Sequence, residues 1–358
     1  MPTVRRIVLR RLSLPLIRPY RLSYRTFDEF EPYLVEVEDS DGRTGFADAH
    51  ISPGSSSETR EGGWTFCLRK MDEMIGRAPE EAKQIVLADF ASSKVAATAL
   101  VSAIEVMEGS DLIDVTETRS QPLLTPINGQ EPQAIAAEIE DWLEQGFRTF
   151  KVKVGKDVEA DLARIAAIQA ACRGRASLRL DANRAYSREQ GIAFASRLDP
   201  ESIELFEQPC AAEDWDANAA VATASNVPLM LDEPICTLAD IERAADIERV
   251  GFCKLKLKRF GGLQRLADGL NAVRAHGMEP VLGDGLGSEI HSWLEACVAR
   301  DTVDNAGEFN GFLKPKSGLF EAPLPFEAGA IRMPAGYRPK LDARAVENAT
   351  TAIQEIAV

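Results

Sequence analysis

Through the second half of the chain, short apolar runs end on charged residues at an almost constant interval. Lys151 and Lys153 lie in FKVKVG, Asp181 in LRLDAN, Glu207 in LFEQP, Asp232 in LMLDEP, Lys256 in CKLKLKRFGG and Asp284 in LGDGLG. Counted from Lys153, the steps between them are 28, 26, 25, 24 and 28 residues. A strand, a helix and their two connections take about that much chain, so each step advances one strand at an unchanged height. Eight strand-like cores can be read in this region: LLTPI, RTFKVKV, SLRLDA, IELFEQ, PLMLDE, FCKLKL, PVLGD and AGEFN. Amphipathic helical patterns such as AIAAEIEDWLEQG and LQRLADGLNAVRAHG separate them. Strict strand and helix alternation predicts an α/β chain closed into a parallel barrel, with the charged strand ends gathered on its C-terminal face. An open doubly wound sheet is the competing arrangement, but no GxGxxG turn follows the first strand.

The flanking segments have a different texture. Up to Ala49 the apolar residues alternate, as in YLVEVEDSDGRTGFADA, where Asp-Gly turn chemistry predicts a hairpin. The stretch at 52–63, SPGSSSETREGG, reads as a loop, and EEAKQIVLADF and SSKVAATALVSAIEVMEG read as helices. After Ser317 alternation returns, broken by proline and glycine, and this tail is expected to rejoin the N-terminal segment.

The charged ring has a chemical meaning. Three carboxylates on adjacent strand ends cannot crowd into a half-buried pocket without a cation to neutralise them. Oxygen donors alone, with no clustered His or Cys, favour a hard ion such as Mg2+, with Mn2+ as the alternative. Residues two apart in a strand share a face, so Lys151 and Lys153 point the same way. By the same parity Lys254, Lys256 and Lys258 are all candidates on the far side. A lysine beside a dication and another lysine is driven toward its neutral form, as a general base requires. His50, His276 and His291 are expected to be structural or exposed.

Composition narrows the partners. The chain has 41 basic and 56 acidic residues, a net charge of −15, which repels nucleic acid and anionic lipid. Neither is an expected partner. No run approaches the roughly 18 apolar residues that span a bilayer. The six cysteines are scattered without a CxxC pair, which points to reduced thiols and a cytoplasmic protein. A homo-oligomer is compatible with the chain.

The ordered set KVK at 151–153, LDAN at 180–183, FEQP at 206–209, LDEP at 231–234 and KLKRFGG at 256–262 resembles the enolase superfamily, in its muconate-lactonizing subgroup. The use of a Lys base with Mg2+ in that superfamily is itself an established pattern. The resemblance implies a modified (β/α)7β TIM-type barrel over residues 122–317. It also implies an α+β capping domain, made of residues 1–121 and a C-terminal return over 318–358. It implies Asp181, Glu207 and Asp232 as metal ligands, supported by Asn183 and Glu233. Lys153 and Lys256 would be the two acid/base catalysts, with Lys151 tuning Lys153 and meeting the substrate carboxylate. The implied reaction is removal of the proton α to a carboxylate of a small molecule through a stabilised enolate. Racemisation or epimerisation of an amino-acid-like acid, proline-type or N-substituted, is the first expectation. A dehydratase or cycloisomerase, and a non-catalytic metal-dependent binder, are the alternatives. Asp284 and Glu308 are expected to meet a substrate cation, Asn310 to be a further substrate contact, and Tyr20, Tyr24, Arg25 and Phe27 to form a lid.

Overall fold

The computed structural model describes residues 2–358 apart from Ser23, Tyr24 and Ser55. The N-terminal segment forms β1 (Val4–Leu12), β2 (Leu14–Arg21), β3 (Thr26–Phe30), β4 (Tyr33–Asp39) and β5 (Thr44–Ala49). The Asp-Gly turn is a hairpin turn: Asp39 Oδ1 accepts the Asp41 and Arg43 amides, and Gly42 takes φ of 80°. Helices α1 (Arg60–Met74), α2 (Pro79–Ala88) and α3 (Lys94–Glu108) follow.

The loop expected over 52–63 is shorter than that. Thr59 caps α1 by accepting the Gly62 amide, so Arg60 to Gly63 are helical. Glycine here answers to space: a Cβ on Gly63 would stand 2.3 Å from Ile51 Cδ1. Helix α3 lies on β5 at backbone distance, and a Cβ on Gly45 would stand 2.2 Å from the Met107 nitrogen. Its buried face is accordingly small, with Ala96, Ala97, Ala99 and Ala103 fully enclosed.

From β6 (Arg119–Pro122) the chain enters the repeating region: β7 (Thr125–Ile127), α4 (Pro132–Glu144), β8 (Thr149–Lys153), α5 (Val158–Cys172), β9 (Ser177–Asp181), α6 (Arg188–Ala195) and β10 (Ile203–Glu207). It continues through α7 (Trp215–Ala224), β11 (Leu229–Leu231), α8 (Leu238–Ala245), β12 (Val250–Leu255), the single turn α9 (Leu257–Phe260), α10 (Leu263–Ala275), β13 (Glu279–Leu282) and α11 (Glu289–Ala299). Strands β7 to β13 form one parallel sheet in chain order. The expected eighth strand, AGEFN, is a short extended bridge between the two sheet edges. Gly307 exchanges backbone bonds with Pro122 and Leu124, and the Glu308 amide donates to Leu282 O. It passes close to Gly283, where a Cβ would meet the Phe309 nitrogen at 2.4 Å.

Inside the barrel, Leu205, Met230 and Val281 pack together. Arg179, only 1% exposed, lies in the same sheet, bonded to both Glu204 oxygens, Ala306 O and Asn305 Oδ1. Its charge is buried but fully partnered, which is the condition for burying it at all. In the tail, β14 (Phe326–Glu327) pairs with β15 (Ala330–Met333), which pairs with β6, and α12 (Ala343–Ala349) leads into β16 (Thr350–Ala357), antiparallel to β1. Among the described residues no helix is long and apolar enough to cross a membrane.

Candidate active site

Strand register sets the ring. Lys153 pairs with Asp181 across β8 and β9, and Asp181 with Glu207 across β9 and β10, so three side chains stand at one level. Asp232 lies one residue past β11, where its amide donates to Gln208 Oε1 at 2.9 Å. Lys254 is within β12 and Lys256 one residue past its end. All of these line a cavity of about 220 Å³ at the C-terminal end of the sheet.

The charges inside are closely matched. The Lys151 ammonium lies 2.7 Å from Asp181 Oδ2, 2.9 Å from Glu207 Oε2 and 2.9 Å from Glu308 Oε1. Lys254 lies 3.0 Å from Glu207 Oε1 and also pairs with Glu308. Burial opposes the charge on Lys151, yet the three carboxylates outweigh it and hold its pKa well above the ordinary value. Lys153, with its side chain 45% exposed, bonds Asp181 Oδ2 and Asn183 Oδ1. Across the cavity Lys256 stands 3.0 Å from Asp232 Oδ2, while Arg259 takes Asp232 Oδ1 at 2.9 Å. Burial and then the Arg259 charge lower the Lys256 pKa, against the pull of Asp232.

As placed, ammonium groups stand between the carboxylates, and among the described residues no three acidic, His or Cys groups converge to share an ion. The donor set nevertheless suits a hard dication: Asp181, Glu207 and Asp232 are nearly fully buried and offer oxygen alone. Beside Asp232, Glu233 Oε2 is buried with no hydrogen-bond partner, although Oε1 meets Arg184 at 3.1 Å. Burial and the Asp232 charge push Glu233 up to about 7. This edge of the cavity therefore keeps one buried carboxylate oxygen unpartnered, which a nearby dication would relieve.

The outer residues divide. Tyr20, Asn183, Glu233, Asp284 and Glu308 line the cavity. The two acids expected to face a substrate cation are already engaged, Asp284 by Lys258 and Glu308 by Lys151 and Lys254. Asn310 lies outside the lining, where it accepts from Lys314 Nζ at 2.6 Å and donates to Leu124 O at 3.0 Å, holding the turn after Glu308. Phe27 is 2% exposed against Phe30 and His50, with Arg25 stacked on its ring at 5.2 Å, and neither is among the residues lining the cavity. Tyr24 lies outside the described residues. From the N-terminal segment, Ser56, Glu58 and Lys94 line the cavity instead. Arg259 escaped sequence reading, although its place three residues after Lys256 on a helical turn carries the signal.

A family model described as enolase C-terminal domain-like matches residues 134–339. The L-Ala-D/L-Glu epimerase of Bacillus subtilis is 25% identical over 346 residues, covering 92% of this chain and 94% of the relative. Muconate cycloisomerase 1 of Rhodococcus opacus is 26% identical over 347 residues, covering 91% and 92% respectively. The solved structure of N-succinyl Arg/Lys racemase from Bacillus cereus matches with a TM-score of 0.89 at 21% identity, covering 99% of this chain and 100% of that one. By the family match and the shared fold, the chain belongs to the enolase C-terminal domain-like family and is an enzyme of the enolase superfamily, whose members use a divalent metal to abstract the proton α to a carboxylate.

Proposed function

We propose that this enzyme racemises or epimerises an N-substituted amino-acid carboxylate, with Mg2+, or Mn2+ in its place, held by Asp181, Glu207 and Asp232. The observation that carries the reading is the placement of Lys153 and Lys256 in one cavity on opposite sides of that carboxylate row. One lysine, uncharged, takes the α-proton; the other, charged, returns a proton to the opposite face, which inverts the centre. The dication, when bound, supplies positive charge for the two developing enolate oxygens. Lys151 adds a fixed charge for the substrate carboxylate, and Asn183 orients Lys153 through its side-chain oxygen.

N-substitution follows from the partners of Asp284 and Glu308. Both carboxylates are matched by lysines, so a free substrate ammonium would have to displace one, whereas an acylated nitrogen carries no charge. The N-succinyl Arg/Lys racemase among the relatives is named for an acid whose nitrogen is acylated in this sense. A cycloisomerase is the second reading, favoured by the likeness to muconate cycloisomerase 1. Chiral chromatography of N-acetyl and N-succinyl amino acids incubated with enzyme and Mg2+ separates the two. Inversion with no change of mass is the expected result; inversion of none of them, with ring closure of an unsaturated diacid, would establish the second reading instead.

A further inference from the structure

We infer that Glu295 is a positioning residue for Lys256, clamped by His291 and tied through Asp48 to the N-terminal sheet; the inference rests on the two-base reading above. Glu295 is fully buried on α11, outside the cavity lining. Its Oε1 accepts the Leu257 amide at 3.0 Å and its Oε2 the Asp284 amide at 3.3 Å. Leu257 opens the single turn α9, whose cap residue is Lys256, and Lys256 makes no side-chain capping bond. The first amides of a helical turn lack partners within it, and a carboxylate is the group that best satisfies them. Here that carboxylate comes from another helix.

The consequence is geometric. Strands β12 and β13 pair as far as Leu255 and Leu282, and the Gly283 amide donates to Leu255 O at 3.0 Å. Beyond that point the two chains have no ladder between them. Glu295 bridges them one step further, fixing the peptide that joins Lys256 to Leu257 and the residue that holds Lys258.

The clamp on Glu295 is equally buried. His291, one turn earlier on α11, places Nε2 at 3.6 Å from Glu295 Oε1, a charge contact without a hydrogen bond, and Nδ1 at 3.4 Å from Asp48 O. Asp48 Oδ2 accepts the Ser288 amide at the start of the same helix at 3.3 Å. Burial disfavours a charged imidazole, but Glu295 and Asp48 outweigh it and raise His291 to about 9. A shared acceptor with a cation behind it holds its direction better than a lone one, and a base displaced by about 1 Å can lose about 100-fold in rate.

The test uses the two enantiomers of the N-acetyl or N-succinyl amino acid that wild type exchanges fastest in D2O with Mg2+. Lys256→Ala identifies the enantiomer whose proton Lys256 removes. Glu295→Gln keeps one acceptor but turns an amide toward the second N–H, and should slow exchange of that enantiomer by about 10- to 100-fold while the other stays within about threefold. His291→Gln, which leaves both Glu295 bonds possible, should give a smaller loss on the same enantiomer and serves if Glu295→Gln does not fold. Equal loss from both enantiomers, or none, in the folded variant overturns the positioning role. Wild-type exchange that Lys256→Ala leaves intact for both enantiomers sinks the two-base reading, and the inference with it.

Discussion

Lys256→Ala should lose about 10²- to 10⁴-fold in α-proton exchange from one enantiomer and retain exchange from the other, and Lys153→Ala should show the reverse. Both variants should stay folded, which makes the comparison clean. Without Lys153, Asp181 keeps Lys151 at 2.7 Å. Without Lys256, Asp232 keeps Arg259 at 2.9 Å. Neither removal leaves a buried charge alone, so the loss can be assigned to proton transfer. Exchange rates for each enantiomer, followed by NMR against a circular dichroism control, give the readout. Racemisation needs both lysines, so turnover should fall in both variants even though each keeps one half-reaction.

Glu207→Ala should do the opposite, damaging the fold as well as the chemistry. Glu207 is 1% exposed and meets two buried ammonium groups, Lys151 at 2.9 Å and Lys254 at 3.0 Å. Deleting one member of a buried charge pair costs about 3–5 kcal/mol, because the partner is left uncompensated. Glu308 still contacts both lysines, which places the expected loss at the lower end, about 3 kcal/mol. Urea unfolding at equal m-value measures it. Saturating Mg2+ should stabilise the wild type, by about 2.7 kcal/mol at one hundred times Kd, and leave Glu207→Ala unmoved. An equal Mg2+ response in both proteins would remove Glu207 from the metal site.

The barrel was legible because its repeat is local: each strand, helix and charged end lies within one interval of chain. The level of Lys153, Asp181 and Glu207 followed from that interval and is the register observed. What was hidden depends on contacts far apart in sequence. Spacing could not choose among Lys254, Lys256 and Lys258; in the structure Lys254 pairs with Glu207 and Glu308, Lys256 with Asp232, and Lys258 with Asp284. The pairing of Lys151 with Glu308 spans 157 residues and gives this cavity-lining acid an internal partner that spacing could not show. Phe27 looked like a lid residue because aromatic residues in a loop often are, but it fills the space against His50 and Phe30. The start of α1 was masked by Gly62 and Gly63, which lie in its first turn and not in a loop.

Solvent exchange at the α-carbon tests the central claim most directly. Wild-type enzyme in D2O with Mg2+ and a panel of N-acyl amino acids should wash the α-hydrogen out of at least one of them, and a chelator should stop the exchange. A folded, Mg2+-loaded enzyme that exchanges none of them, or exchange that survives in Lys153→Ala and Lys256→Ala alike for both enantiomers, would contradict two-base proton abstraction in this cavity.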